Sequence, residues 1–488
     1  GERIAGVKFS IYNVDSNMIP ARNGKGEIIG TKETIDGKQY YVVETNSQGE
    51  ILIDLPEGSY KAVEVQAPDK YDISDSEYYF GIGGSREGKK SYSVESVNTV
   101  GGSSRDEVTS IRYTLDGGYI AAGSFNSNRI ELENGNVLVN QGSSDGMLIK
   151  YNSNHECSWA KTIGGSGSEE LKSVEQTSDG GYIVSGTFSS ANIELENGDI
   201  INGTSGVSNC VILKYDKSGN IEWKKVMTGN KNSQINKVVE DSNGNYIAVG
   251  SFSSNNFKID NDNTLENNYK NEWCAYIVKL NYLGKTEWAK AVGGNGNDYF
   301  TSMAITNDGE YIVSGIFEST NLNFENGIEL VNAGSTDGVI IKYNSLGECQ
   351  WVKSIGGTKE EYVTSVDIGR NNEILVAGYY NSVNVSLEND VTITNMNYSS
   401  EDGFVIKYDE NGNEIFADSI GGNGSDKINQ IKATKDGGYF IIGNYASSSI
   451  TIGSFYMENY SNDDGFLIKY DKKGEMEYLK SIGGDGYD

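Results

Sequence analysis

Residues 337–357, DGVIIKYNSLGECQWVKSIGG, read as an apolar strand, a polar turn, a second strand and a glycine stop. Two short β-rich runs on either side of Asn-Ser-Leu-Gly are a hairpin signal. Variants of this stretch occur six times, each marked by a lysine in its first strand: Lys150, Lys214, Lys279, Lys342, Lys407 and Lys469. Neighbouring lysines lie 62 to 65 residues apart. So regular a period means one supersecondary unit repeated along the chain. The copies span about residues 103–165, 166–229, 230–294, 295–357, 358–422 and 423–484.

Working outward, each copy reads as four strands, which in the first are residues 108–114, 119–125, 147–151 and 158–163. The first two are joined by Asp116-Gly117-Gly118, with the Asp-Gly chemistry of a two-residue type I′ hairpin. The turn recurs at Asp179-Gly180, Asn243-Gly244, Asp308-Gly309 and Asp436-Gly437, and the fifth copy has Asn371-Asn372 instead. The excursion 126–144 carries a small hairpin signal at Glu133-Asn134-Gly135-Asn136. Strand two holds a glycine followed two residues later by an aromatic, from Gly123/Phe125 to Gly443/Tyr445. A glycine there predicts close approach of a neighbouring backbone, here the adjacent sheet. Strand four carries Trp159, Trp223, Trp288, Trp351, Phe416 and Tyr478, whose rings are expected to fill the gap between sheets rather than stack on a ligand.

Helical periodicity is absent, and β-helical repeats are far shorter than this one. The expected fold is therefore all-β, with a propeller of six complete four-stranded blades. A lone fourth strand at 91–102 and a restart at 485–488 predict a seven-bladed ring in the intact protein, with a closed six-bladed ring as runner-up. Both ends of the chain read as cut from a longer protein.

The 488 residues carry 40 basic and 69 acidic side chains, a formal charge of −29. That field disfavours nucleic acid and anionic membranes as partners. No apolar run reaches the ~20 residues of a spanning helix, so membrane insertion is not expected. The single histidine, His155, sits in a turn, which excludes Ser-His-Asp, Cys-His and His-rich metal chemistry. Cys157, Cys210, Cys274 and Cys349 form no CxxC pair. A Cys210–Cys274 disulfide stays open, and buried thiols are the preferred reading.

Residues 1–88 form a separate unit with strands at 7–13, 40–45, 50–55, 61–66 and 78–82, and residues 83–90 (GGSREGKK) are the linker to the array at 89–488. Ile4-Ala5-Gly6-Val7-Lys8-Phe9, Gly49-Glu50 and LPEGSYKAVEVQAPDKYDIS, with its Glu64-Val65-Gln66-Ala67-Pro68-Asp69-Lys70-Tyr71, carry a resemblance. They resemble the Cna B-type (SpaA-like, prealbumin-like) domain of Gram-positive surface adhesins and pilins, which implies a small β-sandwich. Residues 89–488 similarly resemble bacterial propeller repeats. The resemblance assigns Glu64 as the acid of a Lys–Asn isopeptide bond. The lysine that precedes the Ile-Ala-Gly-Val segment in that family is not in this chain, and residues 78–82 hold no asparagine. No bond from Lys8, Lys61 or Lys70 is expected, and an intact mass should show no loss of ammonia.

Other candidate sites lie in the repeats. The loops GGNGND (293–298) and GGNGSD (421–426) mimic a calcium-binding repeat, which makes Asp298 and Asp426 weak candidates for Ca²⁺. Calcium binding of that kind needs stacked copies nine residues apart, so tight turns are the preferred reading and no cofactor is expected. The repeated lysine is expected to pair between blades with a carboxylate or with backbone carbonyls. The candidates are the acid five residues earlier (Asp145, Asp337, Asp402, Asp464) or the loop acids Asp298 and Asp426. A lysine needed for packing recurs in every blade, and Lys342→Met is expected to cost about 3 kcal/mol or more where the pair is buried and to leave ligand binding unchanged.

Two function classes follow. One is a non-enzymatic surface protein, extracellular and either wall-attached or secreted. A stalk-like domain would present a propeller that binds a host matrix protein, a glycan or another surface protein, with the variable excursions carrying the binding. The alternatives are a glycan-active hydrolase or lyase, with acids such as Glu107, Glu169, Asp298 and Glu361 converging on the axis, or a purely structural spacer.

Overall fold

The computed structural model describes residues 5, 7–13, 19–23, 27–35, 37–47, 51, 53, 55, 58–68, 77–82 and 98–483, except 388–390, 396–399, 453–454 and 460–462. The expected linker, the first part of the lone strand and the restart at 485–488 lie outside these residues. The chain divides into two compact units, Gly1–Glu95 and Ser96–Asp488.

The first unit is an antiparallel sheet in the order Thr31–Ile35, Lys38–Glu44, Lys8–Asn13, Gly58–Gln66, Glu77–Ile82, with Ile19–Pro20 also paired to Lys8–Asn13. The sequence reading missed Thr31–Ile35, which forms a hairpin with Lys38–Glu44. In the expected strand 50–55, Ile51, Ile53 and Leu55 lie outside any strand. Ile53 and Leu55 instead pack on Ile11, Ala21 and Ala62, so the segment covers the sheet rather than extending it.

The second unit contains six four-stranded antiparallel sheets, each a run of four consecutive long strands. Blade one is Asp106–Tyr113, Tyr119–Phe125, Asp145–Tyr151 and Cys157–Ile163. The first strands of the others are Glu169–Gln176, Ser233–Glu240, Asp298–Ile305, Glu361–Ile368 and Asp426–Ala433. This repeated four-stranded sheet is the propeller fold. Each excursion forms its own two-stranded hairpin with a buried apolar middle, such as Ile130 and Leu138. The excursions are therefore built parts of the scaffold and not free variable loops. In blade one the turn between strands one and two is not type I′, because Gly117 alone has positive φ and its N–H donates to Thr114 O, whereas in blade five Asn371 and Asn372 both have positive φ. A four-residue turn ending in a left-handed glycine lets Asp116 stay in ordinary backbone space.

Every first strand carries a bulge, seen as a register shift at Val108/Ser110, Leu171/Ser173 and their counterparts. The bulge explains the strand-two glycine. A Cβ on Gly123 would lie 2.0 Å from Glu107 O, and one on Gly378 1.9 Å from Tyr362 O. The approaching backbone thus belongs to the same blade's bulged strand, not to the adjacent sheet. The extra residue turns toward the next blade. Thr109 Oγ1 donates to Leu171 O (2.6 Å), Thr301 to Val363 O (2.7 Å) and Thr364 to Ile428 O (2.8 Å).

Apolar side chains from two sheets fill each of five successive junctions, as where Ile120, Ala122 and Leu148 meet Leu171, Val174 and Val184. The strand-four aromatics of blades one to five lie where expected, at the junction with the next blade. Trp159 packs edge-on to Tyr182 of the next blade, with centroids 5.7 Å apart. The left-handed Gly219 leaves room for the same indole, since a Cβ there would sit 3.0 Å from it. All four cysteines are buried and none is in a disulfide.

Candidate functional site

Glu64 lies opposite Phe9 in the sheet register and is half-buried. Lys8 Nζ is 2.7 Å from the Glu33 carboxylate. Lys70 lies outside the described residues.

The loop acids turn out to be caps. Asp298 accepts from Gly294 N (2.9 Å), Ser319 N (3.3 Å) and Ser319 Oγ (2.6 Å). Asp426 accepts from Gly422 N (2.8 Å), Ser447 N (3.1 Å) and Ser447 Oγ (2.5 Å). Burial pushes both carboxyls up to about 6 against the pull of these donors. A cation at either site would have to displace N–H and O–H groups that point at the carboxylate. Among the described residues no group of three or more His, Cys, Asp or Glu side chains is placed to hold a metal. Glu169 and Glu361 cap the same way, through Gly165 N (2.8 Å) and Gly357 N (2.6 Å). Glu169, Asp298 and Glu361 therefore close the loops between blades and do not converge on the axis. Glu107 lines the channel instead, because Asp106 occupies the capping position in blade one.

The repeated lysine is buried in five copies and half-buried, as Lys342, in the fourth, and its carboxylate partner differs from the expected ones. Lys150 reaches Asp116 (2.9 Å), Lys214 reaches Asp179 and Glu222 (2.9 Å each), and Lys342 reaches Glu310 (2.6 Å). Lys407 pairs with Glu373 (2.7 Å) and Lys469 with Asp436 (3.3 Å), while Lys279 has Asp241 and Glu287 at 3.5 Å. Asp145 and its counterparts sit at the far end of the same strand, about 17 Å away at ~3.3 Å per residue. The ion pairs thus form within a blade, and the next blade adds Ser345 O (3.2 Å) and the Tyr311 ring to Lys279 and Glu410 O (3.0 Å) to Lys342. Where the turn reads Asp-Gly-Gly, the lysine head occupies the space left by the second glycine, since a Cβ on Gly118 would meet Lys150 Nζ at 2.9 Å. Where that glycine is Glu310, the glutamate itself supplies the charge.

The first strands line an open channel of about 970 Å³. The blades are alike in their cores and differ here. One layer of the channel reads Ser110, Ser173, Lys237, Ser302, Ser365 and Gln430, residues that each follow the bulge in their own blade. The layer beside it reads Arg112, Glu175, Val239, Ala304, Asp367 and Lys432. In that second layer Arg112 pairs with Glu175 (2.7 Å) and Lys432 with Asp367 (3.0 Å). Lys172, also in the channel wall, pairs with Glu170 (2.5 Å). Lys237 has no carboxylate partner among the described residues, and its nearest polar contact is Ser302 Oγ at 3.4 Å. Burial, then the charge of Arg112, pull its amine down to about 8. The signal for Lys237 was legible, since it is the one lysine at a position that is serine or glutamine in every other copy.

Residues 1–98 match the SpaA prealbumin-like fold domain. An uncharacterized WD repeat-containing protein of Acanthamoeba polyphaga mimivirus is 22% identical over 69% of this chain, and the match covers 29% of its length. The chain thus spans under a third of that relative. A Bacteroides caccae protein of unknown function is similar at 13% identity and TM-score 0.33, over 69% of this chain and 89% of that one. The WD40 β-propeller domain of Doa1 is similar at 12% identity and TM-score 0.31, over 71% and 92%. NanB sialidase of Streptococcus pneumoniae is similar at 8% identity and TM-score 0.34, over 99% and 86%. At these scores the structural likenesses carry no argument.

Proposed function

We propose that this protein is a non-enzymatic surface module. In this reading the prealbumin-like unit serves as a stalk, and the propeller binds a host glycan, matrix protein or other surface protein through its central channel. The match of residues 1–98 supports an extracellular setting, either wall-attached or secreted. One observation carries the binding role: six copies keep their cores and the strand-three lysine alike, yet differ in charge and size where they line the channel. Packing requires none of that variation, so its selection belongs to a ligand. The capping roles of Glu169, Asp298 and Glu361 weigh against a carboxylate hydrolase. The test is a glycan and matrix-protein array probed with the full chain and with Gln430→Trp, which plugs the channel. Hits should vanish with the plug. Hits that survive it would sink the channel, and release of a cleaved product would make the protein an enzyme.

A further inference from the structure

Five junctions show what covers the two faces of a blade, and two faces outside those junctions stay uncovered. Between blades one and two, Ile120, Ala122, Leu148 and Ile163 meet Leu171 and Val174. In blade six the counterparts of the first set are Phe440 and Leu467, half-buried, and Ile442 and Ile482, exposed. In blade one the counterparts of Leu171 and Val174 are Val108 and Ile111, both exposed. Among the described residues no apolar cluster holds side chains of both blade one and blade six. Val108, Ile111 and Ile442 all line the channel, so the slot between the two end blades opens into it. One part of a further junction is already built on blade one. Val100 packs on the blade-one cluster of Phe125, Ile130 and Met147, as Ile163 joins Phe188 and Ile193 of blade two. Gly102 N donates to Asp106 (2.7 Å), as Gly165 N donates to Glu169 (2.8 Å). Residues 98–100 thus hold the place of a fourth strand leading in from a preceding blade. They lie outside any strand, as a fourth strand must without a third to pair with.

We propose that the slot between blades six and one is a docking site for a three-stranded antiparallel β-segment with this repeat's own two-faced pattern. One face of the segment would set residues like Leu171 and Val174 against blade six. The other would set residues like Ile120, Ala122 and Leu148 against blade one, and residues 98–100 would complete the blade as its fourth strand. Both walls of the slot are sheets, and a sheet is what packs face to face on each. The polar groups of a junction are also in place. A threonine of the segment would donate to Val108 O as Thr109 does to Leu171 O, and Asn429 stands where Thr364 reaches into the next blade. A second copy of the chain fits less well. Its inner blades are sealed in their own junctions, so it can offer an end face to one wall and leaves the other bare.

The probe is a synthetic peptide of residues 166–215, which carries strands one to three of blade two, added to the full chain. Titration calorimetry should show one peptide per chain, with the negative heat-capacity change that marks apolar burial. Ile111→Asp and Ile482→Asp in the chain should each weaken binding roughly tenfold or more, because each sets a charge against a covering sheet. Both residues are exposed in the free chain, so neither change should alter its own melting by much. Val174→Asp in the peptide should abolish binding. The same fifty residues joined after Asp488 through a glycine-serine linker should raise the melting temperature by several degrees, which tests the slot even if the free peptide aggregates. No rise in melting together with no binding overturns the proposal, and so does binding that ignores both Asp variants of the chain. Concentration-dependent self-association that Ile111→Asp abolishes would assign the slot to a second copy and overturn it. A loss of stability from Ile111→Asp in the free chain as large as that from Val174→Asp would mean that the faces are already covered, and would overturn it too.

Discussion

The five junctions between consecutive blades and the outer faces of blades one and six are built from the same repeat positions, yet they differ in burial. Val174 in blade two is 0% exposed and its counterpart Ile111 in blade one is 54% exposed. At the other end, Ile163 closes blade one at 2% exposed and its counterpart Ile482 closes blade six at 56%. The same contrast appears in hydrogen bonding. Thr364 reaches across to Ile428 O, while Asn429, the matching residue of blade six, bonds to Asn444 of its own blade. A blade's apolar positions are thus not intrinsically core. Each becomes core when the next sheet covers it, so stability resides in the junctions.

The largest effect should come from breaking a junction directly. Val174→Asp places a charge in a sealed interface and should cost about 4 kcal/mol or more, while Ile111→Asp should cost under about 1 kcal/mol. Urea denaturation of the two variants measures the difference. Equal losses would mean that the blade-one face is covered in solution.

The next effect concerns the buried lysines. Glu310→Gln removes the one acid in range of Lys342 among the described residues, leaving only the Glu410 carbonyl, and should cost about 3 kcal/mol. Glu222→Gln should cost under about 1 kcal/mol, because Lys214 keeps Asp179. Lys342→Met should be milder than Glu310→Gln, because Glu310 is partly open to water and is left solvated. This reverses the expectation for a fully buried pair. Thermal melts at matched pH decide it.

Acid titration should give a smaller change with two signs. Burial pushes Asp145 up to about 6 and Glu361 up to about 7, so the folded protein holds protons that the unfolded chain has lost. Stability should therefore rise as pH falls from about 7 toward 5, by about 2 kcal/mol. The hydrogen bond from Thr114 and then that from Lys150 hold Asp116 down at about 2, and Asp436 lies at about 2 mainly through Thr434. Their contribution is lost as pH falls from about 4 toward 2, so stability should peak near pH 5. Calorimetry in which melting falls steadily from pH 7 to 5 would contradict the buried acids.

The smallest effect isolates a single contact. Gly135 and Gly284 both have positive φ, but a Cβ on Gly135 meets nothing within 4 Å, while one on Gly284 meets Trp223 at 2.7 Å. Gly135→Ala should cost about 1 kcal/mol of backbone strain. Gly284→Ala should cost about 1 kcal/mol more, since the indole is wedged between two blades.

Some of this was readable in advance and some was not. Alignment of the copies exposes the lysine and the strand-four aromatics, because every blade needs them at one place. The partner of the lysine was missed because the acid moves. Asp116, Asp241 and Glu310 sit at three different positions of the same turn, yet each brings a carboxylate to a lysine head that stays fixed. The strand-two glycine was assigned to the wrong neighbour because a bulge leaves no mark in residue types, only in register. The loop acids looked like metal ligands because a carboxylate capping backbone N–H groups and one holding calcium have the same one-letter code.

By itself, the sequence determined the all-β class, the number of complete blades and the strand order within them. These follow from periodicity and local turn chemistry, which act over a few residues. Only the tertiary structure decided which equivalent positions are sealed, which acid meets which lysine, and which side chains face the channel. Those depend on the bulge that turns each first strand and on the sheet that follows it, and both are set by contacts about sixty residues apart in the chain.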